Sequence, residues 1–152
     1  MKKFLALLLS LVMVLALVAC GDKKDDTNTD GQDNNEVTDF KVGFIMLHDE
    51  NSTYDLNFIN AAKAACAEVG LSDDQVMMKT NISESQACYD AAAELVDAGC
   101  DLIITDSFGH ESFALAAAKE FPEVHFVSCT GVKAHTEGLS NFHNAFASIY
   151  EG

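Results

Sequence analysis

Hydrophobic positions in this chain fall into short runs and stripes whose period changes repeatedly. Lys41 to Leu47 (KVGFIML) is a brief apolar run that ends in the polar stretch His48-Asp49-Glu50-Asn51, which reads as a buried strand entering a loop. From Thr53 the period becomes helical. Leu56, Ile59, Ala62, Cys66 and Val69 line one helix face, and Gly70 stands where a left-handed cap is expected. Gln75 to Lys79 predicts a second strand. Ser83 and Gln86 form a capping box ahead of a stripe made by Cys88, Ala91, Ala92 and Leu95, which ends at Gly99. Cys100 to Thr105 (CDLIIT) predicts a third strand and Asp106 to His110 a loop. Ser112 to Phe121 predicts an Ala-rich helix stopped by Pro122, and Val124 to Cys129 (VHFVSC) a fourth strand. Leu139 to Ser148 can form a fifth strand, and Ile149 to Gly152 looks like the first turn of another helix. Strands alternating with helices predict an α/β fold with a doubly wound parallel sheet. A βα unit cut one turn into its helix would leave the fifth strand poorly covered, so the chain is expected to be part of a longer protein.

The first forty residues follow a different logic. Met1-Lys2-Lys3 is a basic start, and Phe4 to Ala19 is apolar apart from Ser10. That is about the length of a secretory h-region and short for a membrane span, which needs about 20 apolar residues. The run closes Leu17-Val18-Ala19-Cys20, which resembles the lipobox of bacterial lipoproteins. The resemblance implies a signal peptide over 1–19, a lipid anchor (diacylglyceryl or palmitate type) on Cys20, and residence on the extracytoplasmic face of the cell membrane. Two or three acyl chains suffice for stable anchoring, where one is marginal. Residues 20–39 then read as an acidic, disordered tether, because one aliphatic residue (Val37) cannot offset the entropy of ordering the stretch. Such a tether reaches about 24 Å. Its Asp residues do not follow the spacing of a calcium loop. Residues 40–152 remain as the folding segment.

Charge narrows the partners. The chain has no Arg, 9 Lys and 24 Asp plus Glu, a formal net charge of −15. Nucleic-acid binding needs clustered Lys and Arg and is excluded as an expectation. From Phe40 onward 5 Lys face 17 acids, so a neutral or cationic small molecule is easier to accommodate than an anion.

In an open α/β sheet, ligands sit beyond the carboxyl ends of the strands. The loops that qualify are 48–55, 80–83, 106–110 and 129–133. Asp49, Asn51, Tyr54 and Asp55 in the first can pair with a hydroxylated ring compound, and Tyr54 or Phe108 can stack on its ring. Asp106, Phe108 and His110 extend the candidate site in the third loop. The same residues have a plainer reading, in which Asp49 and Ser52 cap the helix and Tyr54 packs on its first turn. The sequence leaves both open.

The stretch KVGFIML followed by Asn51-Ser52-Thr53-Tyr54-Asp55 resembles the basic membrane protein (BMP) family, whose first loop usually reads Asp-Lys-Ser-Phe-Asn. The closing NFHNAFASIYEG resembles that family's strand and helix start in its first lobe. These are substrate-binding lipoproteins of ABC importers, typified by purine-nucleoside binders, with some relatives taking other rings such as riboflavin. The resemblance covers about 41–152. It implies a partial N-terminal lobe of a type I periplasmic-binding-protein fold, a nucleoside-like solute held between two lobes, an ABC permease as partner, a monomer, and no cofactor. Tyr54 stands where the family has a stacking Phe and Asp55 where it has Asn. Its later ribose-binding Asp is not evident, since Cys129-Thr130-Gly131 occupies that region. The alternatives are a ligand-sensing lipoprotein with a signalling partner, or a secreted hydrolase.

The hydrolase reading rests on Ser107 beside Asp106, without the glycines of a nucleophile elbow, and no phosphate-loop motif occurs. The chain is therefore not expected to be an enzyme. His48, His110, His135 and His143 are metal-type donors, but none has the i, i+4 spacing of a helical zinc site, so no metal is expected; His125 is expected packed or at a strand face. Cys66, Cys88, Cys100 and Cys129 lie on apolar stripes or strand ends and read as unpaired small hydrophobes.

Overall fold

The computed structural model describes residues 39–145. The expected signal segment 1–19, the lipidated Cys20, nearly all of the tether, and the last part of the fifth strand with the helix start after it lie outside these residues. Five strands form one all-parallel sheet: β1 (Val42–Ile45), β2 (Val76–Lys79), β3 (Leu102–Thr105), β4 (His125–Cys129) and β5 (Phe142–Ala145), in the order β2-β1-β3-β4-β5. Three longer helices connect them: α1 (Thr53–Glu68), α2 (Gln86–Asp97) and α3 (Glu111–Glu120), with a short α4 (Ala134–Glu137) before β5. This is the expected doubly wound α/β sheet.

Alternating side chains divide the core between the two faces of the sheet. On one, Val42, Phe44 and Met46 pack against Ile59, Ala62 and Cys66 of α1. On the other, Ile45, Ile103, Phe126 and Phe142 meet Cys88, Ala91, Ala92 and Leu95 of α2 and Ala114, Leu115, Ala117 and Ala118 of α3. Gly43 belongs to the second face, where α2 comes so close that a Cβ on it would lie 2.8 Å from Leu95 Cδ1.

Two sequence readings need correction. The buried stripe of α1 is Asp55, Ile59, Ala62 and Cys66, while Val69 is 62% exposed as the helix turns into left-handed Gly70. The stripe is rotated because a carboxylate, Asp55, occupies a core-facing position. The start of α2 is capped by Ser85, whose side chain accepts from Ala87 N, so Ser83 and Gln86 do not form the capping box. Ser83 instead exchanges a hydrogen bond with the Ser85 hydroxyl.

Cys66, Cys88, Cys100 and Cys129 are all free, the first three buried. Burial pushes Cys88 up to about 12 and Cys129 to about 11, and raises Cys66 and Cys100 as well. Thiolate is the reactive form. In native protein at pH 8 all four thiols are expected to react slowly with Ellman's reagent, half-buried Cys129 first, and to react at once in denaturant. Fewer than four free thiols there, Cys20 aside, would contradict this arrangement.

Candidate functional site

The strand order changes direction at β1, because α1 leads outward to β2 and α2 carries the chain back across to β3. In such sheets a crevice opens at the carboxyl ends of the two strands flanking the switch. Here those ends are Ile45 and Thr105, which are register partners, and the loops 46–55 and 106–110 that leave them.

Asp55 and Asp106 meet in that place, 0% and 1% exposed. Asp55 sits three residues after Ser52, the N-cap of α1, and the two side chains bond reciprocally. Ser52 Oγ donates to Asp55 Oδ2 at 2.6 Å, and Asp55 N donates to Ser52 Oγ at 3.3 Å. His48 adds its backbone N–H at 2.7 Å and Nδ1 at 3.0 Å. Burial raises the Asp55 carboxyl. The hydrogen bonds from Ser52, the His48 backbone, Asp106 and the His48 ring outweigh that and hold it well below the usual carboxylate range. The positive end of α1 favours the same ionised form.

Asp106 is driven the other way. Burial raises it and the adjoining Asp55 carboxylate raises it further, with the Leu47 N–H only partly opposing, so that it is pushed up to about 7. Its Oδ1 accepts from Leu47 N at 3.0 Å, while Oδ2 has no protein donor. Asp106 is thus the carboxyl that keeps its proton into mildly acidic solution, while Asp55 stays ionised.

His110 lies fully buried below, its Nδ1 3.7 Å from Asp106 Oδ1. Its Nε2 faces the Ile82 carbonyl at 2.8 Å, which requires the Nε2–H tautomer. Burial lowers the pKa of His110, leaving it neutral with a bare Nδ1. Orphaned hydroxyls of Thr105 and Ser128, opposite one another on β3 and β4, occupy the same strand ends.

The aromatic candidates stand above this buried layer. Tyr54, 47% exposed, donates its hydroxyl to the Asp106 carbonyl at 3.1 Å, and Phe108 is 61% exposed two residues further along. The plainer reading is partly realised as well. Ser52 is the helix cap, and Tyr54 packs on Phe58 with ring centroids 5.0 Å apart. Asp49 is a loop brace, accepting from Asn51 N, Asn51 Nδ2 and, at 3.2 Å, Asn81 Nδ2.

Two acids and a histidine matter more than the sequence suggests. His48 joins the Asp55 network. Glu84 accepts from Ser107 Oγ and from Gly109 N at 3.0 Å, tying the loop before α2 to the loop after β3. A Cβ at Gly109 would lie 2.2 Å from the Glu84 carboxyl carbon, so glycine is what admits the brace. The Ser107 hydroxyl proton is therefore directed at Glu84. Glu111, 2% exposed, accepts from Val132 N at 2.5 Å, Lys133 N at 2.6 Å and Asn144 Nδ2 at 3.1 Å, pinning the loop after β4. Within that loop Thr130 holds φ 65°, a strained value for a β-branched residue. The Glu84 and Glu111 braces join residues more than twenty positions apart, so no local motif announces them.

An apolar groove of about 240 Å³ runs along the flank of α1, lined by Phe44, Met46, Phe58, Ala61, Ala65 and Ile104 among others. It meets the strand-end loops at Met46 and Asp106.

An all-parallel sheet in this order, with helices on both faces, is a doubly wound α/β fold of the kind found in lobes of solute-binding proteins. Solved structures agree. An ABC transporter system solute-binding protein from Conexibacter woesei DSM 14684 superimposes with a TM-score of 0.58 at 20% identity, over 70% of this chain and 35% of that one. A transcriptional activator of the comK gene from Bacillus halodurans gives 0.51 at 23% identity, over 60% of this chain and 30% of that one. The chain thus spans about a third of the length of the structures it matches. No protein-family model matches it, and a search of curated proteins finds no match.

Proposed function

We propose that this chain supplies part of the first lobe of an extracytoplasmic solute-binding lipoprotein of an ABC importer. It is anchored through Cys20 and belongs to the BMP family that its first loop resembles. The solute is a ring compound of the nucleoside class, held between two lobes that close on a hinge. The observation that carries this reading is the pair of exposed aromatic rings, Tyr54 and Phe108, on the two loops flanking the strand-order switch. Each presents a face on which a planar base can stack. Asp49, Asn51 and the partly exposed His48 offer hydrogen-bonding groups around the rings. Asp55, Asp106 and His110 lie beneath and fix the positions of both loops. The expected activity is reversible binding and delivery to a permease.

A thermal-shift screen of nucleosides, flavins and sugars on the complete two-lobed protein tests this. Nucleosides are expected to raise Tm, and Tyr54→Ala and Phe108→Ala each to remove most of the shift. A shift with sugars alone would sink the stacking model. Residues 21–152 without a second lobe are expected to bind very weakly, so micromolar nucleoside binding by them would overturn the two-lobe reading. The likeness to a transcriptional activator favours one second reading, a ligand-sensing lipoprotein with a signalling partner. Ligand uptake by vesicles carrying the cognate permease separates the two.

A further inference from the structure

Away from the strand-end site, two imidazoles meet on the sheet face that α1 covers only in part. His125 on β4 and His143 on β5 are both exposed, with His125 Nδ1 3.1 Å from His143 Nε2. Their ring centroids are 5.4 Å apart and their planes 11° from parallel. That separation equals the nitrogen–nitrogen distance plus one ring radius at each end. The rings therefore meet nitrogen to nitrogen, in line, and not face over face. Parallel pairing sets this up: Val127 is the register partner of His143, and His125 precedes it by two residues on the same face.

Two facing nitrogens cannot both present lone pairs at this distance without repulsion, so in the neutral pair one of them carries hydrogen. A metal ion can take the place of that hydrogen by accepting both lone pairs once the rings turn toward it. With metal–nitrogen bonds of about 2.0–2.1 Å, nitrogens 3.1 Å apart subtend roughly 100° at the ion. That lies between the angles of square-planar and tetrahedral coordination. The ion sits beside the nitrogen–nitrogen line, and each ring must turn toward it, which the broad χ2 torsion of an exposed His permits.

We propose that His125 and His143 form a bidentate surface site for a divalent transition-metal ion of the Cu²⁺, Ni²⁺ and Zn²⁺ class. Imidazole nitrogens suit these ions and not Mg²⁺ or Ca²⁺, which take oxygen ligands. On binding, the hydrogen between the rings is exchanged through water onto the far nitrogen of its own ring, His125 Nε2 or His143 Nδ1. Both facing nitrogens then coordinate and no net proton is released. Among the described residues no group of three or more His, Cys, Asp or Glu could hold a metal ion, so the site proposed takes two ligands from these two strands. The chain's net charge of −15 draws cations toward its surface.

The test uses the full chain, free of any affinity tag and kept in detergent micelles. Substoichiometric Cu²⁺ should broaden the amide resonances of β4 and β5 before all others, a readout that needs no variant. In calorimetry His125→Gln and His143→Gln should each weaken Cu²⁺ binding about tenfold or more, and the double variant should abolish binding at these strands. His135→Gln should bind like wild type, and Mg²⁺ should give no heat. Broadening centred elsewhere, wild-type affinity in either single variant, or an equal loss in His135→Gln would overturn the site.

Discussion

Asp106→Asn is expected to remove a contribution to stability that falls with rising pH between about pH 4 and 7. Asp106 is raised from 3.8 to about 7 in the fold. Across that window the unfolded chain has released this proton while the folded chain still holds it. Stability then decreases with pH, at up to about 1.4 kcal/mol per pH unit from this one group. The stabilising contribution is fully present below the unfolded pKa and is lost as pH climbs through the folded one. Asp55 has the opposite sign, its pKa being lowered, so its contribution is present above the unfolded value and fades as the solution becomes more acidic. His110, lowered by burial, adds a rise in stability with pH up to about its unfolded value of 6.5. The difference between wild type and variant isolates Asp106. An Asn amide can accept from Leu47 N and donate toward Asp55, as the protonated acid does, without titrating. Urea denaturation at pH 5, 6, 7 and 8 checks this. Parallel stability curves for the two proteins would show that the proton is not held there.

Glu111→Ala is expected to cost roughly 3–5 kcal/mol, a large share of the 5–15 kcal/mol that a domain typically has. The carboxylate takes two backbone N–H groups and one amide in a buried setting. Hydrogen bonds to a charged group contribute about 1.5–3 kcal/mol each, and their donors would be left without a partner. Glu111→Gln keeps an acceptor oxygen but loses the charge, and should fall between wild type and Ala. The urea midpoint should drop by about 1 M or more for Ala. A change within about 0.5 kcal/mol would mean that water replaces the carboxylate at little cost. Gly131 shares this dependence, since a Cβ there would lie 2.4 Å from Glu111 Oε1.

The alternation of strands and helices was legible because parallel strands, covered on both faces, are continuous aliphatic runs. The α2 stripe was legible because Cys88, Ala91, Ala92 and Leu95 are all apolar and all buried. The α1 stripe was partly hidden: Asp55 faces the core, and hydropathy cannot reveal a carboxylate whose burial is compensated by Ser52 and His48. The helix start at Ser85 was hidden because Ser83 and Gln86 have the spacing of a capping box, while the Ser83 hydroxyl is engaged by Ser85, which is the cap itself. The loops at the strand ends could be listed from the sequence in order. Their pairing could not, since the adjacency of β1 and β3 is a property of sheet order. The meeting of His125 with His143 depends on the β4–β5 register in the same way.

Tyr54 and Asp106 touch although they are 52 positions apart in the chain. The unfolded polypeptide therefore contains no fragment of the site that could capture a ligand. Any molecule engaging both loops binds the folded sheet alone, and its affinity appears in full as resistance to unfolding, about 2.7 kcal/mol at a concentration one hundred times Kd. Such a molecule and the sheet would act as a single thermodynamic system, so that depleting the one would loosen the other.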